Sequence, residues 1–270
     1  MSRASEACRG AIRRVARSGR LTRALGLAGV LVLVASGVAV AERVQAGNLI
    51  VNVDGGFTPT TLPKHSFAPI TLRASADIST ADGSVPPPLT KVVIDFDRNG
   101  LVQTKGLPIC RPAQLENTTA PQARKVCKNA IVGTGTSDAL IAFPDQAPLP
   151  ASSPLTIFNG PRMGGNPSVI VHAYLTIPAP TTFVIPSPIT KTGGPYRYHV
   201  VSNIPPIAGG YGSVTHFDFK VRKTWTRGGK RVSYASARCA NGRLQAQGSF
   251  TFADGTTMSG HVFRPCHSRG

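Results

Sequence analysis

Glycine and proline punctuate this chain: 51 of its 270 residues are one or the other, and they separate short runs of apolar and β-branched residues. Neither residue suits a helix interior, where proline removes a backbone donor and glycine costs about 1 kcal/mol relative to alanine. Frequent turns and few long helices follow. The runs between the turns carry the period of a half-buried strand, most plainly in Ile70 to Ala76 (ITLRASA), where apolar and polar residues alternate. Further strands are predicted over Asn48 to Val53, Lys91 to Asp97, Ala139 to Phe143, Leu155 to Asn159, Ser168 to Ile177 and Thr181 to Ile185. Strands this short and this numerous predict a mainly β fold of antiparallel, sandwich-like sheets.

The first 41 residues stand apart. Arg3, Arg9, Arg13, Arg14, Arg17, Arg20 and Arg23 precede an uncharged apolar run from Ala24 to Val40, and Ala39-Val40-Ala41 ends it before Glu42. Basic region, apolar region and small-residue cleavage site, in that order, predict a signal peptide over residues 1–41 and an exported domain over 42–270. An uncleaved anchor is the alternative, since a membrane span needs roughly 17 to 25 apolar residues. In both cases the positive flank keeps the N-terminus inside and sends the remainder out, so an extracellular or cell-surface location is expected.

Cysteine usage agrees with export. Four cysteines follow the cleavage site, Cys110, Cys127, Cys239 and Cys266, and an even number in an exported chain argues for two disulfides. Three pairings are open. The sequence-local one, Cys110 with Cys127 and Cys239 with Cys266, is the reading adopted, and closing the first loop is worth about 3 kcal/mol in the chain-entropy model. Zinc is the competing use, but no CxxC or HxxxH spacing accompanies these residues. Between the first two cysteines the composition changes. Pro112 is placed to start one short helix, and Thr119 with Pro121 to cap and start another, which predicts a helical insertion over about residues 111–130 pinned by the disulfide to the sheet edge.

Charge is the other strong bias. The whole chain carries +18, and without residues 1–41 there remain 23 Lys and Arg against 11 Asp and Glu, a formal +12. From Lys220 to Gly270 ten basic residues face one acidic residue, Asp254. A Gly228-Gly229 turn predicts a hairpin of Phe217 to Thr226 with Arg231 to Ala237, setting Trp225 opposite Val232. Its apolar residues then share one face. Lys220, Arg222, Lys223, Arg227, Lys230 and Arg231 make it a candidate polyanion surface, with an anionic cell-wall polymer or acidic polysaccharide as the partner. No specific nucleic-acid partner is expected, because Trp225 and Tyr234 fall on the face predicted to be buried and leave no stacking platform. A second hairpin turns at Asp254-Gly255, and a two-residue loop there places Leu244, Phe250, Phe252 and Phe263 on a common face.

Chemistry-bearing motifs are sparse. Asp95, Asp97 and Asn99, followed by Gly100, match the opening of a calcium loop, but position twelve is Gly106 where a bidentate glutamate is required, so a polar hairpin tip with Leu101 to Gln103 returning beside the strand is the preferred reading. The six histidines, His65, His172, His199, His216, His261 and His267, show no metal-pair spacing. HExxH, Walker, dinucleotide-glycine and G-x-S-x-G patterns are missing, and no cofactor is expected.

The segments KVVIDFDRNGLVQTKGLPIC (Lys91 to Cys110), ARKVCKNAIVGTG (Ala123 to Gly135), TTFVIP (Thr181 to Pro186) and SFTFADGTTMSG (Ser249 to Gly260) resemble a group of exported actinobacterial β-rich proteins. That resemblance brings no established activity, ligand or catalytic residue. The expected function is a non-enzymatic cell-envelope or extracellular binding or structural protein. Two alternatives stand beside it: a secreted hydrolase of carbohydrates or esters, which would need a pocket of convergent His and carboxylate groups, and a membrane-anchored surface protein.

Overall fold

The computed structural model describes residues 42–269, and the expected signal peptide over residues 1–41 lies outside them. In chain order, β1 (Glu42–Ala46) and β2 (Leu49–Thr58) form a hairpin, short β3 (Thr61–Pro63) and β4 (Ala68–Pro69) lead to β5 (Thr71–Thr80), and β6 (Leu89–Asp97) precedes short β7 (Gly100–Val102). Helix α1 (Ala120–Val126) follows. Then come β8 (Ile131–Ile141), β9 (Leu149–Met163), β10 (Asn166–Leu175), β11 (Thr181–Lys191), β12 (Tyr196–Asn203) and β13 (Gly212–Val221). The described chain closes with β14 (Thr224–Arg227), β15 (Lys230–Ser233), β16 (Ala235–Ala237), β17 (Arg243–Phe252), β18 (Thr257–Pro265) and β19 (His267–Arg269).

Twelve strands join in one antiparallel sheet, in the order β1-β2-β5-β13-β8-β9-β10-β11-β12-β6-β17-β18. The sheet folds over at β11, whose residues Thr181 to Pro188 pair with β10 while Ile189 to Lys191 pair with β12. Pro186 and Pro188 have no N–H to give a ladder, so the strand leaves one layer and enters the other where it carries them. The two layers meet face to face. Val51, Val53, Ala76, Ile78 and Val214 from the first pack with Leu89, Val92, Phe250, Phe252, Met258 and Val262 from the second. Alternation explains the choice of face: Val92, Ile94 and Phe96 point between the layers while Lys91 is exposed.

The free edges also touch. A Cβ at Gly260 would stand 3.0 Å from Val53 Cγ2 and 3.3 Å from Val44 Cγ2, so glycine lets β18 lie close against β1 and β2 without a ladder. The backbone N–H of His261 donates to Glu42, and Arg264 pairs with Asp54 across the same seam. A small sheet, β4-β16-β7, packs beside the core with the Cys239–Cys266 disulfide, and β19 pairs in parallel with β3.

Sandwich-like antiparallel sheets, two disulfides in the sequence-local pairing and one short helical insertion are all present. Thr119 is the N-cap of α1, its N–H accepted by Gln122 Oε1 at 2.8 Å, and Pro112 opens a single 3-10 turn. Four local expectations need correction. The insertion covers the outer face of β9 and β10, mid-sheet strands, and not an edge: Leu115, Ala123, Cys110 and Cys127 bury Phe158 and Ile170. Residues 101–103 do not return beside β6, because β12 and β17 already occupy both its sides; β7 pairs with β16 instead. The strand expected from Phe217 to Thr226 breaks at Arg222-Lys223, so β13 stays between β5 and β8 while β14 and β15 form a separate ribbon. Finally, β17 and β18 pair Phe250 with Met258, one residue off the predicted register, because Ala253 to Gly255 form a three-residue loop with Gly255 at φ 86°. That slip turns Val262 inward and leaves Phe263 47% exposed.

Candidate apolar binding cavity

The inner faces of the two layers do not fill the space between them. A cavity of about 230 Å³ runs between Val53, Phe57 and Leu72 on one layer and Ile94, Val200 and Phe250 on the other. A second, of about 140 Å³, lies between Leu155, Ala173 and Phe183 and residues Leu89, Ile204 and Ile207. They share walls. Val92, Ile94, Ile157, Val171, Ser202, Phe217 and Phe219 border both, and Ser202 is the one polar side chain among these seven.

Strand alternation supplies this lining. On β12 the inward residues are Tyr198, Val200 and Ser202; on β10 they are Val169 and Val171, whose neighbours Ile170 and His172 point outward beneath the insertion. Several polar groups of the wall are satisfied within the protein. Tyr198 Oη accepts the N–H of Val102 at 3.3 Å, and Ser202 Oγ shares a 2.7 Å hydrogen bond with buried Ser187 Oγ. Tyr234, on the wall of the larger cavity, keeps its hydroxyl sealed from solvent and unpartnered, and burial raises its pKa. Such a surface wets poorly and suits an apolar molecule.

Of the candidate site residues singled out from the sequence, Asp97 borders the larger cavity and the others lie elsewhere. Arg222, Arg227, Lys230 and Arg231 are exposed, and Lys220 is exposed on β13, while Lys223 is half-buried at the break between strands. None of the six forms an ion pair with a described residue. Trp225 does stand opposite Val232 and packs inward. The calcium-loop residues are each engaged separately. Asp97 accepts the N–H groups of Asn99 and Gln245 at 2.7 and 3.0 Å, Asp95 meets His199 Nδ1 at 2.8 Å, and Asn99 Oδ1 accepts from Arg238 Nε at 3.0 Å. Their oxygens close the end of β6 within the protein, and no cluster of three His, Cys, Asp or Glu able to hold a metal occurs among the described residues.

The histidines divide into surface pairs and one buried pin. His199 with Asp95 and His216 with Asp77 (2.6 Å) lie outside both cavity walls, and no histidine lines either cavity. His172 is fully buried beneath the insertion, where Nε2 meets the Thr118 carbonyl at 3.1 Å. A carbonyl can only accept, so the proton sits on Nε2. Nδ1 is left bare and unpartnered, and desolvation lowers the pKa.

Sequence reading missed the cavity. An apolar inward face reads the same whether its partner face touches it or stands away from it, so no local signal marks Ile94 or Val171 as wall and not filled core. Comparison with known proteins gave no matching family model, no matching curated protein and no matching solved structure.

Proposed function

We propose that this chain is an exported, non-enzymatic binding protein that holds an apolar small molecule between its two sheets. The carrying observation is the pair of adjoining apolar cavities, about 230 and 140 Å³, lined by side chains from both layers. Benzene occupies an engineered apolar cavity of about 150 Å³; at that density the larger cavity takes roughly nine carbon atoms and the two together roughly fifteen. Export rests on the leader-like residues 1–41, and two disulfides fit an oxidising compartment. The hydrolase alternative draws no support from walls that carry no histidine.

Titration with aminoanthracene, a fluorophore that brightens on leaving water, tests the reading directly. Saturable enhancement is expected for the wild type. Val171→Phe, which adds volume at the shared wall, should abolish it while leaving the melting temperature unchanged or higher. No enhancement in the wild type, or equal binding by the variant, would refute the cavity as a ligand site.

A second surface favours a second contact. The exposed, unpaired cations of the β14–β15 ribbon and its approach, Arg222, Arg227, Lys230 and Arg231 with Lys220 on β13, support attachment to an anionic wall polymer or acidic polysaccharide. Surface attachment and cargo binding are compatible in one protein.

A further inference from the structure

We infer that the ligand of the cavity carries a hydrogen-bond acceptor, a carbonyl or ether oxygen, in the middle of an otherwise hydrocarbon skeleton, and that Ser202 is the residue that reads it. The inference rests on the binding reading above and adds the chemical class of the ligand.

Ser187 on β11 and Ser202 on β12 face each other where the sheet folds over, one step beyond the paired residues Ile189 and Val200. Their oxygens are 2.7 Å apart, and neither side-chain hydroxyl makes another hydrogen bond among the described residues. Two hydroxyls hold two protons, and the pair consumes one. The second proton therefore has no acceptor within the protein. Ser187 is fully buried, whereas Ser202 is half-buried and borders both cavities. A sealed O–H without an acceptor costs about 1–3 kcal/mol, so the lower-energy arrangement has Ser187 donating to Ser202 and Ser202 turning its own proton to the cavity.

Position completes the argument. Because Ser202 is the one polar side chain shared by the two walls, the donor stands at the waist between two apolar lobes and not at an end. A molecule seated in both lobes presents its middle to Ser202.

Competition against bound aminoanthracene distinguishes the outcomes, with dipentyl ketone and undecane as probes of equal carbon number. Ser202→Ala is expected to weaken dipentyl ketone roughly tenfold, the value of one hydrogen bond at the upper end of its usual range. Undecane should compete equally with both proteins, which also reports that the variant is folded. Equal effects on both probes, or none, would overturn the assignment of Ser202 while leaving the cavity as a binding site. Failure of dipentyl ketone to displace the fluorophore from the wild type would overturn the inference, whereas a wild type that gives no saturable aminoanthracene enhancement would overturn the binding reading beneath it.

Discussion

His172 shows how much one buried side chain can dictate. Its Nε2–H holds the Thr118 carbonyl, and that carbonyl also accepts from Thr182 at 3.0 Å, so the imidazole ties the insertion to the sheet. Protonation would place a charge and an unmatched Nδ1–H in the same dry site, which is why the pKa is lowered. The linkage sign follows: the unfolded chain takes up this proton near pH 6.5 and the folded chain only at lower pH, so stability is full above about pH 6.5 and falls as the solution is acidified. His172→Gln keeps an amide donor and does not titrate. Its urea midpoint should fall less than the wild type's between pH 7 and 5; parallel curves would show that His172 carries no such linkage. No spacing rule identifies this histidine from sequence, because its partner is 54 residues away.

Among the elements, the insertion was legible and its seat was not. Pro112, Thr119, Pro121 and the two cysteines are local signals, and the caps and the disulfide form where they lie. Which surface the insertion covers depends on Phe158 and Ile170, outward residues of strands whose neighbours only the folded sheet defines. Removing the bridge by Cys110→Ala with Cys127→Ala should cost about 3 kcal/mol by the loop-entropy estimate. Urea unfolding followed by the fluorescence of Trp225 would record it, and an unchanged midpoint would mean that packing alone holds the insertion down. The hairpins divide in the same manner. Gly228-Gly229 fixed its register from sequence, whereas Asp254-Gly255 took one more loop residue than expected, and that single residue exchanged Val262 for Phe263 on the buried face.

At the scale of the molecule, a hollow apolar interior coexists with a strongly basic exterior. Exposed charges separated by about a Debye length act together at low salt and are screened at high salt. Retention on immobilised heparin should therefore weaken steeply as salt rises. The combined change Arg227→Ala, Lys230→Ala and Arg231→Ala should elute at distinctly lower salt than the wild type. Elution unaffected by either the salt or the substitutions would remove the polyanion contact from the proposal. Cavity binding should be untouched by the same three changes, since none of these residues borders either cavity.

The class of structure was legible in the sequence: strands of period two between glycine and proline turns, an even set of four cysteines, and a capped helical insertion. Each of these is decided within a few residues or by counting. The strand order, the choice among the three cysteine pairings, the hand-over at β11, the pairing of β7 with β16 and the space between the layers were settled by the assembled fold. The reason is physical. Alternation records that one face of a strand avoids water, but how far away the opposite face stands depends on strands that the chain brings together from distant positions. Whether Ile94, Val171 and Ser202 meet a neighbour or enclose a void is a property of that assembly.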